Sequence, residues 1–255
     1  MSEEESKPRT PHQKWQVFID TGVEIRERGI QHQMQQANSA FSQAIYTAGK
    51  NGLWDDLVGA YCQRALIPYL QFTTSENPNL LTLMRNELVA AECVAAYYPE
   101  VTSHNRAVIK MRIGQYFLEK GDKLAAFNYL QEAINLLPIG TFNPEIHSHY
   151  GLLEILTKHD AHHKHDADHG MALLDHCLAS IKISSYEEEW QRLGVLSGIQ
   201  LRRAVALNSL GNKKESQEAL SEASAIAIML MVDFSRPWRM VQTDRIAKQL
   251  GINKI

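Results

Sequence analysis

One apolar stripe recurs along the chain, and it constrains the fold more than any other feature. In its clearest form it runs Ala126, Phe127, Leu130, Ala133, Ile134 and Leu137, spaced i, i+1, i+4, i+7, i+8 and i+11, and it stops at Pro138. That spacing puts every member on one face of an α-helix. The stripe returns at Ala219, Leu220, Ala223, Ile226, Ala227 and Leu230. Weaker copies stand at Leu173, Leu174, Cys177 and Ile181, and at Ala40, Phe41, Ala44 and Ala48. The two clearest copies follow helix-stopping dipeptides, Gly121-Asp122 and Gly211-Asn212, and each has another helical segment upstream. One helical pattern recurring in this way points to internal repeats.

The upstream partners are expected at about Lys14 to Arg28, Asn105 to Lys120, Pro144 to Lys158 and Tyr186 to Leu210. Between them Trp54 to Phe72 and Pro78 to Tyr97 read as a further helical hairpin, split by Thr-Thr-Ser-Glu-Asn-Pro. A last helix, 236–250, carries Trp238, Val241, Ala247 and Leu250 and is expected to cap the final pair. No stretch alternates apolar and polar residues as a strand would. The prediction is an all-α chain of about five antiparallel helix pairs plus a C-terminal capping helix, filling residues 12–255 behind a solvated tail, 1–11.

Residues 107–138 carry Ile113-Gly114, Phe117, Gly121-Asp122, Ala126, Leu130, Ala133 and Pro138, and this set resembles a tetratricopeptide repeat at that family's signature spacings. Looser copies lie at 15–48 (Gly22, Gly29, Ala37, Phe41, Ala44), at 144–183 from Tyr150-Gly151, and at 197–230 (Ala204, Leu207, Gly211, Leu220, Ala223). The resemblance implies a right-handed α-solenoid in which the first helix of each pair lines a concave groove. Small residues have a physical task there: Gly114 and Ala126 let two helices touch while Phe117 and Leu130 fill the space beside them.

Carried onto the best repeat, the resemblance points Met111, Arg112, Gln115, Leu118 and Glu119 at the groove. Arg112 stands two residues before Gly114, and His149 and Arg202 stand two before Gly151 and Ala204. One basic or titratable group per pair could grip an acidic segment or a terminal carboxylate through charge-assisted hydrogen bonds. The lysine and asparagine clamp that some family members use for carboxylate tails is not reproduced. The expectation is a scaffold that takes a peptide or helix of a protein partner, not an enzyme. No Gly-rich phosphate loop, Gly-x-Ser-x-Gly or recognisable Cys, His and Asn arrangement occurs.

A second class of function is open. Eight of the eleven histidines fall between His147 and His176, most densely from His159 to His169. On a helix His162, His165, Asp166 and His169 would share one face at i, i+3, i+4 and i+7, a donor set suited to Zn or Ni. The same run also reads as a polar turn between two helices, or as a group that gains charge as pH falls through about 6.5.

Charge adds one exclusion. With 26 Lys and Arg against 29 Asp and Glu, the formal charge of −3 gives no general attraction to nucleic acid. The longest apolar run, Ala225 to Val232, is far short of a membrane span. Cys62, Cys93 and Cys177 are widely spaced among apolar neighbours and read as buried reduced thiols, and the first residues lack the apolar core of a secretory signal. Together these place the expected protein in the cytoplasm.

Overall fold

The structure, a computed structural model, describes residues 8–29, 31–157, 166–183 and 188–252. Of these, 84% are helical and none is in a strand. The helices are α1 (Pro11–Glu27), α2 (Met34–Lys50) after a 3-10 turn at Gln31–Gln33, α3 (Trp54–Ser75), α4 (Pro78–Tyr97), α5 (Ser103–Glu119) and α6 (Lys123–Leu136). They continue as α7 (Pro144–Leu156), α8 (Ala167–Ile183), α9 (Glu189–Ser209), α10 (Lys213–Phe234) and α11 (Trp238–Gln249). The closest neighbours are α1 with α2, α3 with α4, α5 with α6, α7 with α8 and α9 with α10.

Local chemistry sets the helix ends. Side chains of Thr10, Asn77, Thr102, Asp122 and Asn143 accept hydrogen bonds from the first free N–H groups of α1, α4, α5, α6 and α7. Thr10 and Gln13 form a reciprocal capping box, so α1 starts at Pro11, inside the stretch expected to be tail. Gly121 and Gly211 take φ of 80° and 88°, the left-handed conformation that ends α5 and α9 and turns the chain into the next helix.

The helices cross where side chains are smallest. A Cβ added to Gly114 would lie 2.9 Å from Leu130 Cγ and 3.2 Å from the Ala126 carbonyl oxygen. At α7 and α8 two glycines face each other: a Cβ on Gly151 would stand 2.8 Å from the Gly170 oxygen. Gly22 makes room for the Phe41 ring in the same way. The pair α3 and α4 lacks such a glycine and closes on Val58, Cys62, Ala65, Leu81, Met84 and Leu88 instead.

The core is a string of clusters, each shared by successive helices. Ile19, Phe41, Ala44 and Ile67 join α1, α2 and α3, and Ala107, Met111, Leu130, Ile146 and Leu153 join α5, α6 and α7. Leu152, Ile155, Leu174 and Ala206 carry the string from α7 through α8 to α9. Cys62 and Cys177 lie within it, but Cys93 is exposed, contrary to the sequence expectation. It sits on the face of α4 opposite Leu88, Ala91 and Ala95, which take the buried side.

The last helix does more than cap. Ile246, Ala247 and Leu250 pack on Leu201, Ala204 and Leu207 of α9 and on Ala219 and Leu220 of α10, as a cap should. Its other side reaches α3 and, through Arg245, Glu119 of α5. Arg236, just ahead of it, donates to the Glu24 backbone carbonyl of α1 at 3.0 Å. The row of helices therefore closes on itself around an inner space.

Candidate binding cavity

That inner space is a cavity of about 550 Å³ with walls from α1, α3, α5, α7, α9 and α11. Its lining includes Arg112, Gln115, Leu118 and Glu119 of α5, His149 of α7 and Arg202 of α9. Six of the seven residues expected at a groove thus meet in one place. Met111 does not: it is 2% exposed and packs in the core with Ala107, Phe127 and Leu153. One residue of rotation about α5 turns Arg112 toward the cavity and Met111 toward α6.

Among the described residues the lining holds six arginines, Arg26, Arg112, Arg202, Arg236, Arg239 and Arg245, against three glutamates, Glu27, Glu119 and Glu145. Four arginines have carboxylate partners. Arg26 bonds Glu27 at 2.6 Å, Arg112 meets Glu145 at 3.1 Å, Arg245 meets Glu119 at 2.6 Å, and Arg236 reaches Glu24 on α1 at 2.5 Å. Among the described residues Arg202 and Arg239 have none. Arg202 donates to Ser148 Oγ and to His149 Nε2, both at 3.0 Å, and Arg239 donates to Gln242 Oε1 at 2.6 Å and to the Gly194 carbonyl at 2.5 Å.

Protonation follows from this crowding. Desolvation, together with Arg202, Arg112 and Arg239, holds His149 well below the ordinary imidazole value, so it is neutral. Burial would raise the Glu145 carboxyl, but Arg112, Arg202 and Arg239 outweigh it and keep the group ionised. Arg239 is lowered to about 10 by desolvation and by Arg202, and still carries its charge at neutral pH. Its guanidinium lies 3.9 Å over the Trp238 ring, and that of Arg236 lies 4.5 Å over Trp190. Both indoles stand at helix starts, and both line the cavity.

The unmet bonding capacity is one-sided. Among the described residues the Nε groups of Arg112, Arg236, Arg239 and Arg245 and the Nδ1 of His149 have no partner, and all five residues line the cavity. Because Arg202 can only donate, His149 Nε2 accepts and Nδ1 carries the proton. Each orphan is then a donor, and the described lining is short of acceptors.

Of the metal candidates, His162 and His165 lie outside the described residues. Asp166 caps α8, accepting from the backbone N–H groups of Asp168 and His169, and His169 Nδ1 lies 2.7 Å from Glu154 Oε2. Among the described residues no group of three or more His, Cys, Asp or Glu side chains is arranged to hold an ion. No described helix is long and apolar enough to cross a membrane.

Periodicity within one segment does not disclose Arg26, Glu27, Glu145, Arg236, Arg239 or Arg245. The available signal is in α11, where Arg239, Gln242, Arg245 and Gln249 stand at i, i+3, i+6 and i+10, a polar stripe beside the face that carries Ala247 and Leu250. Comparison with protein-family models, with curated proteins and with solved structures finds no match to this chain.

Proposed function

We propose that the chain is a right-handed α-solenoid of five helix pairs, of the tetratricopeptide kind, and a cytoplasmic binding scaffold that holds a short acidic segment of a protein partner in its inner cavity. The observation that carries this is the convergence of Arg112, Gln115, Leu118, Glu119, His149 and Arg202 from three helices, beside three more arginines from α11 and its approach. Glycine crossings at α1 with α2, α5 with α6 and α7 with α8 support the repeat assignment.

The cavity narrows the kind of partner. A helix about 10 to 12 Å across would need the place that α11 occupies, so an extended segment of a few residues fits better than a partner helix. A volume of about 550 Å³ lies in the range of ordinary ligand sites. Support for binding over catalysis comes from the lining itself: fixed positive charge and unmatched N–H donors suit oxyanions of a ligand, and the one histidine is held neutral.

The test is fluorescence anisotropy with labelled hexapeptides that differ only in Asp/Glu against Asn/Gln. The acidic peptides are expected to bind and to weaken with added salt. Arg112→Gln should weaken binding about tenfold, the loss of one charge-assisted bond worth about 1.5 kcal/mol. Equal affinity for acidic and amide peptides would sink the proposal.

A further inference from the structure

Arg202 of α9 and Arg239 of α11 converge on one point. Both guanidiniums come within 3.4 Å of the position a Cβ on Gly198 would take, so a side chain there would crowd them. Arg202 Nη2 and Arg239 Nε donate to no group among the described residues. Glu145 lies near enough to act on both but is ion-paired with Arg112. Two neighbouring guanidiniums with no carboxylate paired directly to either repel, and the repulsion is larger out of bulk water. They also belong to different walls: α9 is part of the stacked row, and α11 is the helix that closes it.

We propose that Arg202 and Arg239 form a subsite for a single oxyanion group, carboxylate or phosphate, and that filling this subsite clasps α11 onto the cavity. One free N–H from each arginine supplies two charge-assisted bonds to the two oxygens of such a group. The anion turns a repulsive contact between α9 and α11 into a bridged one, so ligand affinity and α11 docking become the same free energy. This rests on the cavity being an anion site, as proposed above, and adds that the site exists in full only with α11 in place. Trp238, which starts α11 and stacks under Arg239, is a built-in reporter of that docking.

The experiment follows hydrogen exchange of residues 238–249 and tryptophan fluorescence in the full chain, with inorganic phosphate and a hexaglutamate peptide as separate probes. With a probe at ten times its Kd, exchange in α11 is expected to slow about tenfold in the parent. The control Lys214→Gln, whose side chain is 90% exposed and remote from the cavity, should respond as the parent does. Arg202→Gln and Arg239→Gln should lose the response, and Arg239→Lys should keep part of it, since a purely structural role would not follow charge. A response to phosphate alone supports the subsite and overturns the acidic-peptide function. A response to hexaglutamate supports both. Peptide binding that leaves α11 exchange unchanged, or that is equal in Arg239→Gln, overturns the clasp while the peptide function stands. No binding of either probe overturns both.

Discussion

His149 is held in one tautomer and one charge state by burial and by groups on three other helices: Arg112 and Gln115 on α5, Arg202 on α9 and Arg239 on α11. Its value in the folded chain is depressed, whereas in the unfolded chain it returns to about 6.5. Between those limits the unfolded state binds more protons, so acidification favours unfolding and stability climbs with pH up to about 7. The slope from this one group is at most about 1.4 kcal/mol per pH unit. Half-buried His147 is shifted the same way by desolvation and adds a slope of the same sign. Denaturant midpoints between pH 5 and 8 should therefore fall less steeply on acidification in His149→Gln than in the parent. Identical slopes would place the pH dependence elsewhere.

Between helices the deciding quantity is the space at a crossing. At Gly114 the α5 backbone meets Leu130 and the Ala126 carbonyl with no room for a side chain. Gly114→Leu should therefore force α5 off α6, at about 1 to 3 kcal/mol or more for overpacking. For a chain of this length each 1 kcal/mol lowers the unfolding midpoint by about 2 to 4 °C, so calorimetry should show a clear drop. An unchanged midpoint would mean the crossing yields freely. This crossing is legible in the sequence because both partners sit at fixed offsets from the Gly121-Asp122 turn. The same register explains why Arg112, His149 and Arg202 could be placed: each stands two residues before the small residue of its helix, and two positions turn a helix by about 200°, away from the crossing. Met111 fails by the same geometry, since its neighbour Arg112 takes the direction it was given. Arg239 and Arg245 gave no such handle. Their partners on other helices are Gly194 and Glu119, up to 126 residues away, and nothing periodic within α11 says which helix its polar stripe meets.

A row of stacked helices normally leaves two independent ends, each free to fray. Here the ends meet. Arg236, 5% exposed, donates to the carbonyl and the carboxylate of Glu24, 212 residues away in sequence, and Gly29 after α1 lies 3.4 Å from Trp238 Cβ, measured from where its own Cβ would stand. Arg236 also stacks on Trp190 of α9, so one side chain ties the start of the row, its last pair and the closing helix. Hydrogen bonds made by charged groups contribute about 1.5 to 3 kcal/mol each when a partner is removed. Arg236→Gln should thus raise local opening of α1 and α11 together, by about 2 kcal/mol or roughly 30-fold in exchange rate, with no comparable change in α5 and α6. Closure predicts that coupling because the same contact protects both ends. If α11 opened in the variant while α1 kept its protection, the two ends would be neighbours without being coupled, and the closed row would behave as an open one.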